Sequence, residues 1–358
     1  MNRSIEELLV DANSFKTFHQ EKEIELFSLT NENGMTVQFS NLGARIVSVI
    51  VQDKNNNWQD VSLGMRTAKE YLTKDEPYYG AVIGPFTGRI SNAQFKLGEE
   101  THHLTKNNGV HTLHGGEEGM HFVVWDTCIK ENKITFSYTY PDKKEGFPGP
   151  INFKITYTLT NNNELIVDYL GQSEQPTIIN LTNHAYFNLN GEGSGSIENH
   201  YLQINSNKIT ALSAEYTQEG IVLEVENSPF DFQNSKQISS SINENHQQLI
   251  NGNGFDHYYI LKEVFNQNLN HAATAIGDIS GIVLDVYTTA QGVHLYTGNF
   301  MSDKIKLKNG STDSFQTAFC LETQDFPDSL NQENYPSKIY QPTIDFQSQT
   351  IYKFSIQS

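Results

Sequence analysis

The chain has few cysteines, few basic residues and no long apolar run. Only two cysteines occur among its 358 residues, Cys128 and Cys320, and each lies within an apolar run. One possible pair cannot build the disulfide framework that holds a small secreted domain together. We therefore expect two free, buried thiols.

Basic residues are scarce relative to acidic ones. The chain has 24 Lys and Arg against 42 Asp and Glu, which gives a formal net charge of −18. Nucleic-acid phosphates and anionic lipid headgroups both need a basic face on the protein that binds them. The composition therefore argues against nucleic acid or a membrane as a partner and favours a small neutral or cationic ligand. It leaves the oligomeric state open between a monomer and a homodimer.

Long apolar segments are also missing. No window approaches the roughly 18 apolar residues that a membrane-spanning helix requires. The first residues, MNRSIEELLVDANSF, contain one short apolar run among acidic residues, whereas a secretory signal needs a longer apolar core. We expect a cytoplasmic protein.

Alternating and β-branched segments dominate the rest of the chain, and they predict a mainly β fold. Turn signals separate them, such as Asn33-Gly34 and the run NGNG that begins at Asn251. A spacing of roughly ten residues per strand favours an antiparallel sandwich or barrel. Short helices are expected at 4–11 and 263–269, and no linker or repeat divides the chain, so we expect one domain over 1–358. The clearest predicted strands are Met35–Ser40, Ala44–Asp53, Lys133–Tyr140, Asn152–Thr160 and Glu164–Gly171.

The segment TNHAYFNL, Thr182–Leu189, places His184 among polar and aromatic neighbours. The preceding residues TIINL, Thr177–Leu181, are β-branched and predict a buried strand, so His184 should follow a strand end. Imidazole titrates near neutral pH, which suits it to proton transfer. The alternative is a structural histidine whose ring is hydrogen-bonded within the fold.

Three further segments are polar, lie next to predicted strands and carry titratable side chains. NNGVHTLHGG contains His111 and His114, GFDHYYI contains Asp256 and His257 before an aromatic strand, and LETQDFPDS places Glu322 directly after the apolar run AFCL. A carboxylate at the end of a buried strand is costly unless it is paired or faces a cleft. Each segment also has a structural alternative, namely a turn histidine, an Asx turn or a glutamate at a solvated edge.

Several classes of active site lack their sequence signals. His111 and His114 are three residues apart, and His102-His103 lie upstream, but no CxxC or HExxH pattern supports a metal site. The glycine-rich run GEGSGS precedes a predicted strand rather than the helix that a phosphate loop requires. No G-x-S-x-G elbow or dinucleotide-binding fingerprint is present. Acid–base chemistry by histidine and carboxylate on a neutral ligand remains, with neither a metal nor a cofactor.

Taken together, these segments give the sequence a clear resemblance to the aldose 1-epimerase (galactose mutarotase) family, from about Val37 to Phe354. The resemblance implies a large antiparallel β-sandwich, the galactose mutarotase-like supersandwich with few short helices, and a shallow sugar cleft without cofactor or catalytic metal. It also implies an isomerase that interconverts the α and β anomers of free hexoses by acid–base ring opening. The segments that carry the resemblance are NLGARIVSV, IGPFTGRISNAQFKLG, NNGVHTLHGG, GFPGP with YTLTNNNELIVDY, NLTNHAYFNL, GFDHYY, GVHLYTGNF and LETQDFPDS.

The same resemblance implies a role for individual residues. His184, in the NHAYFNL motif, resembles the general acid that protonates the sugar ring oxygen. Glu322, in the LETQ motif, resembles the general base that takes the proton from the C1 hydroxyl. His114 is expected to support the ring oxygen, while Arg89 and Asp256 hold sugar hydroxyls. Near neutral pH, we expect Glu322 to be ionised and His184 protonated when the sugar arrives.

The chain departs from the family pattern at two places near the sugar. It has Gly88 before Arg89 where an asparagine is common, with Pro85 where an arginine is common, and it has His294 where many members have glutamine. Glycine removes a hydroxyl contact, whereas His294 can supply one and adds a titratable group. These departures affect the choice of sugar and not the acid–base pair.

Three alternatives remain open at this point. An epimerase of a phosphorylated hexose would need extra basic residues for the phosphate dianion. A glycoside hydrolase would use Glu322 and Asp256 as a carboxylate pair. A carbohydrate-binding protein of the same fold would have no use for a paired acid and base. The preferred sugar is not identified by the sequence.

Overall fold

A computed structural model of the chain describes residues 4–73, 78–262 and 268–357. Its largest element is a nine-stranded antiparallel sheet. Along Glu164–Ser173, buried residues alternate with more exposed ones, as the period-two sequence pattern predicts. In spatial order the strands are Asp126–Lys130, Lys133–Tyr140, Ile151–Leu159, Glu164–Ser173, Phe346–Ile356, Ile282–Thr288, Asn270–Ile276, Tyr201–Ile204 and Lys236–Gln237.

Two smaller antiparallel sheets complete the main framework. The four-stranded sheet consists of Leu26–Thr30, Thr36–Ser40, Arg45–Gln52 and Trp58–Asp60. Its first hairpin turns at Gly34, which adopts a φ of +84° that favours glycine. The five-stranded sheet, in spatial order, consists of Gln218–Glu224, Ser206–Leu212, Asp256–Leu261, Gly292–Tyr296 and Cys320–Gln324.

Short elements join these sheets. Among the described residues, the helical segments have three to six residues each, and the remaining strands form two-stranded pairs. The α-helices are Ile5–Leu8 and Gln247–Gly252, and the 3₁₀ turns are Ala12–Phe15, Glu70–Leu72, Ser91–Ala93, Met120–Phe122, Lys144–Gly146 and Ile238–Ser240. The strand pairs are Thr17–His19 with Lys22–Ile24, Val82–Ile83 with Thr182–Asn183, Arg89–Ile90 with Thr112–Leu113, and Gln94–Leu97 with Glu100–His103.

Both smaller sheets pack against the nine-stranded sheet. Phe39 of the four-stranded sheet lies 4.8 Å from Tyr157 of the large sheet, measured between ring centroids. The hydroxyls of Thr323 and Thr350 join the five-stranded sheet to the large one. One apolar cluster contains buried residues from all three sheets. The layers therefore form an antiparallel sandwich around a shared core, and the predicted mainly β fold is confirmed.

Several local predictions were wrong or only partly right. Residues 177–181 are buried but form isolated bridges instead of a strand, because their backbone groups bond to separate partners, such as Thr177 to Tyr340 and Asn180 to Pro85. Burial by itself does not distinguish a strand from a buried crossing segment. The helix predicted at 4–11 is a single turn, Ile5–Leu8, and most of the one predicted at 263–269 lies outside the described residues.

The prediction of two buried thiols was half wrong. Cys320 is buried, but Cys128 is exposed. Cys128 lies in Asp126–Lys130, the edge strand of the nine-stranded sheet, where four of five residues are exposed. An apolar neighbour such as Ile129 does not bury an edge strand when no other layer covers it. In the described part of the chain, no helix is both long and apolar enough to cross a membrane.

Candidate active site

Three neighbouring strands of the five-stranded sheet place Asp256, His294 and Glu322 in one cleft. His294 pairs directly with Glu322 in the strand register, and Asp256 lies two residues from Tyr258, which is the residue opposite His294 on the other side. Because strand residues two apart share a face, all three side chains lie on one side of the sheet. Glu322 was predicted at the end of a strand but stands in the middle of Cys320–Gln324. Asp256 was predicted before a strand but is the first residue of Asp256–Leu261.

His184 and Glu322 both line the cleft and lie next to each other. His184 Nε2 lies 3.5 Å from Glu322 Oε1. The two residues are only 5% and 3% exposed, yet both line the cleft. The two residues that the sequence assigned to acid and base are therefore direct neighbours.

Backbone hydrogen bonds fix the position of His184. Its N–H donates to the carbonyl of Ala81, and its carbonyl accepts from the N–H of Gly80, both at 2.9 Å. On the far side of the imidazole, Nδ1 lies 3.5 Å from the sulfur of Cys320. Burial raises the pKa of the Cys320 thiol, and the charges of Glu322 and Asp256 raise it further. The sulfur of Cys320 therefore stays protonated. Because Nδ1 faces this sulfur, Nε2 is the nitrogen of His184 that faces Glu322.

His114 occupies the cleft as a neutral hydrogen-bond donor. The backbone N–H of Gly88 donates to its Nδ1 at 3.2 Å, so the ring proton of the neutral form is on Nε2. Burial lowers the pKa of His114 well below 6.5, and the charges of His184 and Arg89 act in the same direction. The next residue, Gly115, has no room for a side chain, since a Cβ there would meet the carbonyl oxygen of Gly84 at 2.1 Å.

Arg89 lies on the cleft wall between two fixed contacts. Its Nε donates to Asn108 Oδ1 at 2.9 Å, and its guanidinium carbon lies 5.0 Å from the ring centre of Tyr216. Gly88 has a φ of +79°, a conformation that favours glycine. The backbone conformation at position 88 therefore explains why this chain has glycine there, where the family often has asparagine.

Asp256 and His294 form a close ion pair in the same cleft. His294 Nε2 donates to Asp256 Oδ1 at 2.7 Å. Burial acts to raise the pKa of Asp256, but the hydrogen bond and charge of His294 outweigh it and lower that pKa. Burial likewise acts to lower the pKa of His294, but the bond to Asp256 and the charges of Asp256 and Glu322 raise it. This pair therefore favours its charged form.

The cleft holds about 810 Å³ of space free of protein atoms, part of it open to solvent. Alternation along a strand could have identified two of the residues that sequence reasoning missed, because Tyr296 follows His294 by two positions and Gln324 follows Glu322 by two. Tyr78, Tyr216 and Phe300 lie in loops and have no such periodic signal. The lining residues missed from the sequence include Tyr78, Tyr216, Gln218, Tyr296, Phe300 and Gln324.

Two of the candidate histidines have structural partners instead. His111 accepts a hydrogen bond from the backbone N–H of Asn92 through Nδ1, and its Nε2 lies 3.4 Å from Glu215. His257 Nε2 lies 3.2 Å from Gln248 Oε1, and burial lowers the pKa of His257 to about 3. The contacts of His111 and His257 therefore support a structural role for both residues and not a role in the cleft.

The upstream histidines lie on a separate hairpin. His102 and His103 belong to the strand Glu100–His103, and the ring of His102 stacks on Phe95 with centroids 5.1 Å apart. Within residues 4–73, 78–262 and 268–357, no group of three His, Cys, Asp or Glu side chains is arranged to hold a metal ion.

Comparison with known proteins gives a consistent result. The family model described as aldose 1-epimerase matches residues 25–353. The chain is 37% identical over 337 residues to human galactose mutarotase, covering 93% of this chain and 94% of that protein. A solved aldose epimerase homologue from C. elegans superposes with a TM-score of 0.85 at 25% identity, covering 93% of this chain and 99% of that one. Galactose 1-epimerase from Lactobacillus acidophilus gives 0.81 at 27% identity, with 96% and 98% covered.

Proposed function

The chain belongs to the aldose 1-epimerase family, and we propose that its cleft interconverts the α and β anomers of free hexoses such as galactose and glucose. The observation that carries this proposal is the 3.5 Å separation of His184 Nε2 and Glu322 Oε1 at the cleft floor. In a cyclic hemiacetal, the ring oxygen and the C1 hydroxyl are attached to the same carbon. An acid and a base that act on those two oxygens must therefore lie close together, as this pair does.

The reaction needs only two proton transfers in each direction. Glu322 accepts the proton of the C1 hydroxyl, the electrons of that O–H bond form the C1 carbonyl, and the C1–ring oxygen bond breaks. His184, as the imidazolium, gives its Nε2 proton to the departing ring oxygen. Rotation about C1–C2 presents the other face of the carbonyl to the hydroxyl that re-forms the ring. On ring closure, His184 takes back the proton of that hydroxyl, and Glu322 returns its proton to the oxygen on C1. Each positioned proton transfer contributes about 10²–10⁴-fold.

The other cleft residues hold the sugar during this rotation. His114 donates its Nε2 proton toward the ring oxygen, which stabilises charge that develops there. Arg89 donates to sugar hydroxyls with a guanidinium that Asn108 and Tyr216 already fix. Asp256 accepts from hydroxyls through the carboxylate oxygen that His294 leaves available.

The charge pattern of the cleft disfavours the alternative reactions. Among the described residues, Arg89 is the one Lys or Arg that lines the cleft, and two carboxylates line it too, so a phosphate dianion lacks the cations it needs. A glycoside hydrolase requires one carboxylic acid with a raised pKa. The lowered pKa of Asp256 does not suit that acid role. A carbohydrate-binding protein does not require the His184–Glu322 pair.

Polarimetry tests the proposal directly. Freshly dissolved α-galactose and α-glucose should reach their equilibrium rotation much faster with the protein than with buffer. Galactose 6-phosphate and an aryl galactoside should show little acceleration and no aryl release, respectively. Unchanged mutarotation rates for every free hexose would contradict the proposal, and aryl release would favour the hydrolase instead.

We also propose that the protein works in the cytoplasm as a monomer or homodimer, on a small sugar and without a nucleic-acid or membrane partner. The exposed thiol of Cys128 supports a reducing compartment, where such thiols persist. The net charge of −18 supports the absence of anionic partners.

A further inference from the structure

Tyr78 belongs to a tight turn that is attached to the backbone of His184. The N–H of Ala81 bonds to the carbonyl of Tyr78 at 3.1 Å and closes the turn. Gly80 and Ala81 of the same turn make the two backbone hydrogen bonds that hold His184. Arg45, which is fully buried, donates to the carbonyl of Tyr79 and anchors the turn from behind. The position of Tyr78 is therefore fixed relative to His184.

The ring of Tyr78 contacts three imidazoles. It lies nearly parallel to the His184 ring, with centroids 5.9 Å apart and an interplanar angle of 28°. It meets His114 and His121 edge-on, each with centroids 4.7 Å apart. Tyr78 reaches this position with a φ of +65°, which is rare for a bulky residue.

A second tyrosine ring is also close to the acid. Tyr186 lies 5.0 Å from the His184 centroid at an angle of 20°. The face of an aromatic ring attracts a cation, so two stacked tyrosines favour the imidazolium over the neutral ring. His114 and His121 do not compete for that proton, because burial lowers the pKa of both, to about 3 for His121.

We propose that Tyr78 is a positioning residue for the reaction: its ring holds His184 with Nε2 toward Glu322 and stabilises the protonated form that donates to the sugar. This inference rests on the proposed function, because it assumes that His184 is the acid. The hydroxyl of Tyr78 has no part in it, and the face of the ring is sufficient. The titratable or charged groups around His184 are Glu322, Cys320, His114, His121, Tyr186 and Tyr296.

Two substitutions at position 78 test the contribution of the ring separately from that of the hydroxyl. Tyr78→Phe keeps the stacked face and should retain kcat within about 2-fold. Tyr78→Leu removes it and should lower kcat about 10-fold, with a smaller change in KM, because the proposed sugar contacts of Arg89 and Asp256 remain. In Tyr78→Leu, the pH above which kcat declines should also move down, as the ratio of protonated to neutral acid falls about 2- to 5-fold.

An independent readout separates this inference from the function itself. Nitrogen-15 NMR of the imidazole rings at a fixed pH reports the protonated fraction of His184 whether or not the protein turns over a sugar. Tyr201→Leu, which removes an exposed tyrosine on the nine-stranded sheet, is the matched control and should leave kcat and the His184 signal unchanged. Circular dichroism checks that each variant is folded.

Two results would overturn the inference. One is a folded Tyr78→Leu variant with a wild-type pH profile and wild-type His184 signal. The other is a Tyr78→Phe variant as impaired as Tyr78→Leu, because the hydroxyl would then be responsible. If the wild-type protein accelerates no mutarotation, the proposed function fails, while the His184 signal in Tyr78→Leu still decides whether Tyr78 supports the imidazolium.

Discussion

His294 donates a 2.7 Å hydrogen bond to Asp256 from the neighbouring strand, and each residue shifts the pKa of the other toward the charged form. This contact joins a residue that departs from the family pattern to one that is proposed to bind sugar hydroxyls. A neutral glutamine at position 294 could donate to the same carboxylate but could not carry charge. The cleft of this chain is therefore more sensitive to pH than one with an amide at this position.

His294→Gln should change the pH dependence of stability. The pKa of His294 is raised above 6.5, so its contribution is full below 6.5 and is lost as pH rises through the raised value. The pKa of Asp256 is lowered below 3.8, so its contribution is present above 3.8 and lost as pH falls through the lowered value. Thermal unfolding should show the largest difference between wild type and variant from pH 4 to 6.5 and a smaller one at pH 9. A difference that stays constant over this range would contradict the ion pair.

Glu322→Gln and His184→Asn should each reduce kcat for galactose by about 10²–10⁴-fold, because each removes one of the two proton transfers. The measurement is polarimetry, with circular dichroism to confirm the fold. Glu164→Gln is the matched control, since Glu164 pairs with Lys353 on the nine-stranded sheet and should leave kcat unchanged. Near-full activity in either cleft variant would disprove the role assigned to that residue.

Substitutions of His114 should separate its hydrogen bonds from its ring. Asparagine tolerates the φ of +53° at this position, and it can accept from Gly88 while it donates to the sugar. We expect His114→Asn to keep more activity than His114→Ala, which should lower kcat/KM about 10- to 100-fold. Equal activity in the two variants would argue against a donor role. Because the pKa of His114 lies well below 6.5, neither substitution should alter the pH profile above pH 6.

Much of the sheet framework could be predicted because alternation along a strand reflects which face is buried. Lys133–Tyr140 matches its predicted bounds, and Glu164–Ser173 extends two residues beyond them. The segment 177–181 could not be predicted in the same way, since its apolar residues are buried by unrelated parts of the chain. The prediction that Cys128 is buried was wrong because nothing in its local sequence shows that its strand lies at the edge of a sheet.

The predicted site residues lie in one cleft, but the sequence could not show how they contact each other. The His184–Glu322 contact joins residues 138 positions apart by their numbering, and local pattern carries no information about such a distance. Motif order and resemblance supplied the expectation. Tyr78 and Tyr216 were missed because loop residues have no periodicity and their contacts depend on tertiary structure.

The two thiols should differ in reactivity. A thiol reagent such as dithionitrobenzoate should label one cysteine in the native protein, because Cys128 is exposed and Cys320 is buried with a raised pKa. The second should react only after unfolding in guanidinium. Cys128→Ser should abolish the native reaction without changing mutarotation. Labelling of both thiols in the native protein would contradict the burial of Cys320.

Lys308 provides a test of stability away from the cleft. Its ammonium is buried, lies 2.8 Å from Asp60 Oδ2, and also donates to the carbonyls of Val47 and Ser62. Lys308→Met leaves a buried carboxylate without its cation, which should lower the free energy of unfolding by about 3–5 kcal/mol. Lys22→Met is the matched control: Lys22 also pairs with an aspartate, at 2.7 Å, but both side chains are exposed, and such pairs contribute about 0–1 kcal/mol.

Urea unfolding at pH 7 compares the two lysine variants under one condition. The Lys308→Met midpoint should fall well below that of Lys22→Met, which should stay near wild type. The slope of free energy against urea should be the same in all three proteins, because they expose the same surface on unfolding. Similar midpoints for both variants would mean that water or a rearranged side chain compensates the carboxylate of Asp60. In that case the charge of Lys308 would not be what stabilises the folded protein at this position.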